Sequence, residues 1–127
     1  MSSRAHTNYW RILPLSLLWT VSLAHHSFVT FDTDTEIVIN GKVLSFSWTN
    51  PHTQTTVQVV DADGNVVVWA IEGMSPDYLG RRGWTRTTLE PGDVVAITIH
   101  PLKSGAPGGI FLRAILEDGT AIVMFAR

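Results

Sequence analysis

The chain has 127 residues, enough for one small domain, and nine Lys and Arg against eleven Asp and Glu leave a net charge of −2. It contains no cysteine, which excludes a disulfide framework, a thiolate metal centre and a lipidated N-terminal cysteine. No glycine-rich dinucleotide fingerprint or phosphate-binding loop occurs, and the net acidic balance argues against a nucleic-acid surface, whose affinity comes largely from clustered Lys and Arg.

In chain order, the first element reads as a targeting segment. Arg4 and Arg11 are the only charged side chains in residues 1–24, "ILPLSLLWTV" is apolar, and Ser22-Leu23-Ala24 puts small residues before a cut. That is the pattern of a secretory signal peptide. The apolar run is too short for a membrane span, which needs roughly 20 residues, and it contains Pro14. The expectation is removal of 1–24, leaving one periplasmic or secreted domain over 25–127 with no membrane span. Losing Arg4 and Arg11 leaves seven basic and eleven acidic side chains, a net charge of −4.

Strand signals dominate residues 25–127. "KVLSFSW" (42–48) alternates, with Val43 and Ser45 on one side and Leu44, Phe46 and Trp48 on the other. "TTVQVV" (55–60) stops at "DADGN", a hairpin signal, and "VVVWAIE" (66–72) comes immediately after, predicting a three-strand meander. Ser75-Pro76-Asp77 then supplies an N-cap, a first-position proline and an acid in the first turn of a short helix that Gly83 ends. "LEPGD" (89–93) is a tight turn, "DVVAITIH" (93–100) and "IFLRAILE" (110–117) are two later strands, and "AIVMF" (121–125) is a last one. Three strands, a short helix between strands 3 and 4, then further strands predict a mainly β fold, a small OB-like Greek-key β-barrel; a small β-sandwich is the rival. The expected core includes Val43, Phe46, Val57, Val59, Val67, Trp69, Ile71, Leu79, Val95, Ile97, Leu112 and Ile115.

The chemistry rests on histidine. Cleavage after Ala24 gives His25 a free α-amine, which with its own Nδ1 closes a chelate ring around one cation. One further imidazole completes a T-shaped three-nitrogen set, a histidine brace, and planar nitrogen ligation suits Cu(II). His52, in "WTNPHT", lies in the loop between the first two strands, and His100 ends the fourth strand in "TIHPLKSGAPGG". In an OB-like barrel those two loops flank the ligand-binding face. His26 is a weaker candidate, because adjacent side chains seldom reach one centre. Glu72 ends an apolar strand. If the hairpin loop spans 61–65, Val60 pairs with Val66 and His52 shares a face with Glu72; a two-residue turn at Asp63-Gly64 would part them. A His52–Glu72 contact would orient a ligating imidazole. "RRGWTR" (81–86) reads as the solvated face of the helix and its exit or, with Arg81 beside Trp84, as a local basic patch for an anionic group on a partner. "KSGAPGG" (103–109) reads as a flexible loop whose paired glycines admit a ligand or the N-terminal arm.

"HHSFVTFD", "GKVLSFSWTNPH", "WAIEGMSPDYLGRRGW", "LEPGDVV" and "IHPLKSGAPGG" together resemble a family of small exported bacterial proteins, domain of unknown function 6152. The resemblance implies an exported β-rich domain with no established reaction. Its shared motifs hold His25, His26, His52, Glu72, Arg81, Trp84 and His100. The chain departs at "GMSP", where the family more often has a second glycine, so Met74 brings a thioether near the site as an axial copper ligand or as packing. The expected function is copper binding in storage, delivery or resistance, without catalysis, with zinc as the lesser metal and an envelope protein as a further partner. The alternative is a metal-free module for a peptide, saccharide or envelope protein, with Trp48 or Trp84 exposed beside the arginines. A copper oxidase of polysaccharide ranks below both, since so small a domain offers little flat surface.

Overall fold

The computed structural model describes residues 30–125. The elements are β1 (Ile37–Ser47), β2 (Gln54–Val60), β3 (Val66–Glu72), α1 (Pro76–Gly80), β4 (Val94–Pro101), β5 (Gly108–Leu116) and β6 (Ala121–Val123). The ladder runs β3-β2-β1-β4-β5-β6, and a parallel pairing of β3 with β5 closes the first five strands into a barrel. The fold is therefore the OB-like Greek-key β-barrel, with α1 between β3 and β4. Among the described residues no helix is long and apolar enough to cross a membrane.

Two bulges set which side chains turn inward. Val43 pairs with Val57 and Ser45 with Thr56, so Leu44 is an extra residue on β1. The bulge reverses the alternation: Val43 and Phe46 both pack into the core, and Leu44 is left exposed. Leu112 is the second extra residue, because Thr98 pairs with Arg113 while Ile99 pairs with Phe111. Phe111 and Ala114 therefore fill the core in place of the expected Leu112 and Ile115; Ile115 is 55% exposed. β1 also starts earlier than "KVLSFSW" suggested, since its Ile37–Lys42 half pairs with β4 through Asn40-Gly41. Gly41 is required there, because a Cβ would stand 2.3 Å from the Gln58 carbonyl oxygen.

The barrel encloses Ile39, Val57, Ile71, Leu79, Leu89, Ile97, Ile99 and Met124 together with Val43, Phe111 and Ala114. Trp84 joins them, 6% exposed, with its ring 5.3 Å from Phe111 in an edge-to-face arrangement. Its indole Nε1 donates to the Val123 carbonyl at 3.2 Å, which satisfies the one polar atom the burial would strand. α1 is shorter than expected. Ser75 Oγ accepts from Tyr78 N at 3.3 Å, Pro76 opens the helix, and the following turn reaches Gly83 with φ of +85°.

The β2–β3 hairpin takes the longer loop. Val60 pairs with Val66, the Asp61 carbonyl accepts from Gly64 N at 3.0 Å, and Gly64 has φ of +84°. This is a hydrogen-bonded turn closed by a left-handed glycine. Asp61 Oδ1 accepts from the backbone N–H groups of Asp63 at 2.9 Å and Asn65 at 2.8 Å, while Oδ2 accepts from the Asn65 side-chain amide at 3.1 Å. The bonds from Asn65 hold the Asp61 carboxyl below its ordinary value of 3.8. A carboxyl with a depressed folded-state value stabilises the fold above the unfolded value and loses that contribution as pH falls through the folded one. Thermal melts should therefore place Asp61→Ala below the parent at neutral pH, with the gap closing below about pH 4. A gap that persists to about pH 2 would contradict the clamp.

Candidate functional site

The hairpin register decides what meets at the barrel's outer wall. With Val60 opposite Val66, Gln54 falls opposite Glu72. Glu72 pairs with Ile110 on β5, and Ile110 pairs with His100 on β4. Directly paired residues share a sheet face, so Gln54, Glu72, Ile110 and His100 form one row across four strands. Their chain neighbours Thr55, Ile71, Ile99 and Phe111 are buried on the opposite, inner face. Glu72 and His100 are two strand spacings apart, about 10 Å between Cα atoms.

His52 precedes Gln54 by two positions and reaches the same face. Its Nδ1 lies 3.0 Å from Glu72 Oε1 and 3.1 Å from the Gly73 carbonyl oxygen. Both partners can accept a proton, and the carbonyl can do nothing else, so Nδ1 carries the hydrogen. In the neutral ring Nε2 then keeps its lone pair. The two side chains are about one-third exposed, 37% for His52 and 33% for Glu72. Together with Thr49, Thr53 and Gln54 they line an open polar depression of about 310 Å³.

His100 repeats the arrangement with a different partner. Its Nδ1 donates to the Thr35 carbonyl at 2.7 Å, which again leaves Nε2 as the lone-pair nitrogen. Ligating histidines characteristically donate their other N–H to a carboxylate or a backbone carbonyl, which fixes ring orientation and tautomer. Both imidazoles meet that condition. Among the described residues, no group of three or more His, Asp and Glu side chains is gathered closely enough to hold a metal ion. A centre using either histidine would need donors from elsewhere, and His25 and His26 lie outside the described residues.

The remaining candidates separate from this row. Trp84 is a core residue and presents no surface to a partner. Trp48 is half-buried, packed against the core with its ring 5.9 Å from Phe46. Arg81 is exposed and paired with Asp77 one helical turn back, Arg82 lies 3.5 Å over the Tyr78 ring, and Arg86 Nη1 donates to the Trp48 carbonyl at 3.5 Å, so of the three arginines Arg86 alone reaches a tryptophan, through its backbone. Met74 packs its side chain against the core and offers its backbone carbonyl to Thr53 Oγ1 at 3.0 Å. The glycines of "KSGAPGG" also have another use. Gly108 and Gly109 open β5, where a Cβ would stand 2.9 Å from Ala70 O and 2.4 Å from His100 O respectively, so they admit neighbouring strands and no ligand.

Sequence reasoning missed Gly73 and Thr35, whose backbone carbonyls orient the two rings. No side-chain pattern announces a backbone acceptor. Gly73 carries a further constraint, since a Cβ there would stand 2.3 Å from Thr53 Oγ1 and 2.9 Å from Met124 Cε. Gly73→Ala should therefore cost about 2 kcal/mol in urea unfolding, as overpacking of a buried site does. A loss under about 0.5 kcal/mol would show that Thr53 yields freely and that the close approach is dispensable.

No curated protein and no solved structure matches the chain. A family model does match, over residues 15–112, and it spans the row of Gln54, Glu72, Ile110 and His100 together with His52. The chain belongs to that family, DUF6152, a family of unknown function.

Proposed function

We propose that the protein is an exported, periplasmic copper-binding protein that stores, delivers or confers resistance to the metal without transforming a substrate. In this reading the mature chain begins at His25. Its α-amine and Nδ1 chelate Cu(II), and Nε2 of His52 or His100 supplies the third nitrogen. Nitrogen donors in a planar array favour Cu(II) over zinc, which prefers a tetrahedral set. His26 is adjacent to the chelate and contributes less directly, and an envelope protein would receive or deliver the ion.

The observation that carries the proposal is the shared condition of the two imidazoles. Each has Nδ1 held by an acceptor and, among the described residues, no partner on Nε2, and both stand on one outer face of the barrel. Hydrogen bonding alone would satisfy a surface histidine in either tautomer; two rings held in the same one are suited to ligation through the same atom. The span is also feasible. Five residue steps separate His25 from Thr30, a reach of at most about 17 Å when extended, and Thr30 O accepts from Lys103 N at 2.9 Å, three residues beyond His100. Glu72 is assigned as the residue that orients His52, and Met74 is assigned to packing. The metal-free reading calls for Trp48 or Trp84 exposed beside the arginines; Trp84 is buried, so that reading keeps only the half-buried Trp48, whose carbonyl accepts from Arg86 Nη1 at 3.5 Å.

Mass spectrometry of exported protein should show a chain starting at His25. Copper titration of that form should give tight 1:1 binding that weakens by at least about 100-fold, close to 3 kcal/mol, when one alanine precedes His25, since the amine then moves off the chelate ring. Equal affinity in the extended form would sink the terminal site.

A further inference from the structure

We propose that Phe31 anchors a strap, residues 30–36, that seats against β4 and so holds the Thr35 carbonyl where it orients His100 for the copper site; this positioning role rests on the copper reading. β1 and β4 pair regularly only from Ile37 opposite Ile99. Upstream, the chain leaves the ladder in a turn knitted by Asp32, whose Oδ2 accepts from Thr35 Oγ1 at 2.8 Å and whose carbonyl accepts from Thr35 N at 3.3 Å. It then rejoins β4, with Phe31 opposite Leu102, Asp32 N donating to Pro101 O at 2.8 Å and Lys103 N donating to Thr30 O at 2.9 Å.

A polar turn at a chain end would ordinarily fray. Here it carries a buried aromatic. Phe31 is 4% exposed, yet among the described residues it and Ile110 are the two buried large hydrophobics outside the main core cluster. Both lie on the outer wall, Ile110 in the row between Glu72 and His100 and Phe31 beside the end of β4. Leu102, between them, covers Gly108, where a Cβ would stand 2.9 Å from Leu102 Cδ1. The strap also supplies Thr35 O, the acceptor for His100 Nδ1. The strap thus orients a proposed ligand, and Phe31 is the positioning residue for it. The Glu36–Arg113 pair at the strap's end, 2.8 Å but half-exposed on both sides, adds little hold.

The test uses the chain beginning at His25 in parent, Phe31→Ala and Phe31→Leu forms. Hydrogen exchange reads the strap without metal. The Asp32 and Lys103 amides should be slow in the parent, fast in Phe31→Ala and slow again in Phe31→Leu, with β2 and β3 amides unchanged as the internal reference. Competition against a chelator of known affinity should show copper binding about tenfold weaker in Phe31→Ala and restored in Phe31→Leu, the effect of a competent arrangement populated about one time in ten. Exchange unaffected by Phe31→Ala overturns the strap. Faster exchange with unchanged copper affinity overturns its positioning role. A parent that binds no copper removes the copper reading and that role together, while the exchange data still decide the strap.

Discussion

One backbone register ties the molecule together: Gln54, Glu72, Ile110 and His100 stand side by side across β2, β3, β5 and β4. Each pairing is enforced by the core on the other face. A slip of one residue in β3 would turn Ile71 to solvent and Glu72 into the barrel, exchanging a buried aliphatic chain for a buried carboxylate. The Asp61 clamp selects the loop length that avoids this slip, and the close approach of Gly73 to Thr53 extends the same pairing past the strand ends. The contact between His52 and Glu72 is a consequence of that register.

Much of the fold was legible because strand and turn chemistry are local. The alternating runs, "DADGN", Ser75-Pro76 and "LEPGD" each name their structure within a few residues, and their order implies the barrel. What was not legible was phase. Leu44 and Leu112 are ordinary strand residues, and nothing about leucine marks it as the extra residue of a bulge; the bulge exists because the neighbouring strand must pair on both sides of it. The same limit hid the roles of Trp84, Gly108 and Gly109. An aromatic beside arginines and a glycine pair in a loop-like stretch look functional until the partner strands that surround them are known.

The site followed a similar division. Histidine and glutamate could be nominated from their residue types, and the loop length posed the His52–Glu72 question as two registers with opposite answers. The acceptors on Gly73 and Thr35 could not be nominated, since they are backbone atoms placed by tertiary structure. Yet they matter most to the chemistry. An imidazole whose Nδ1 proton is held has its orientation restricted and its lone pair assigned to Nε2, so less conformational freedom is lost when a cation arrives. The barrel contributes rigidity, and the chain N-terminus is proposed to contribute the chelate.

The copper reading depends above all on the protonation pattern of two rings. Nitrogen-15 chemical shifts of His52 and His100, measured on metal-free protein at a pH where both imidazoles are neutral, report which nitrogen carries the hydrogen. Both should show a protonated Nδ1 and a bare Nε2, with His52 reverting toward a tautomer mixture in Glu72→Ala. A protonated Nε2 in both rings of the parent would contradict the proposed role, since neither would then offer the third nitrogen.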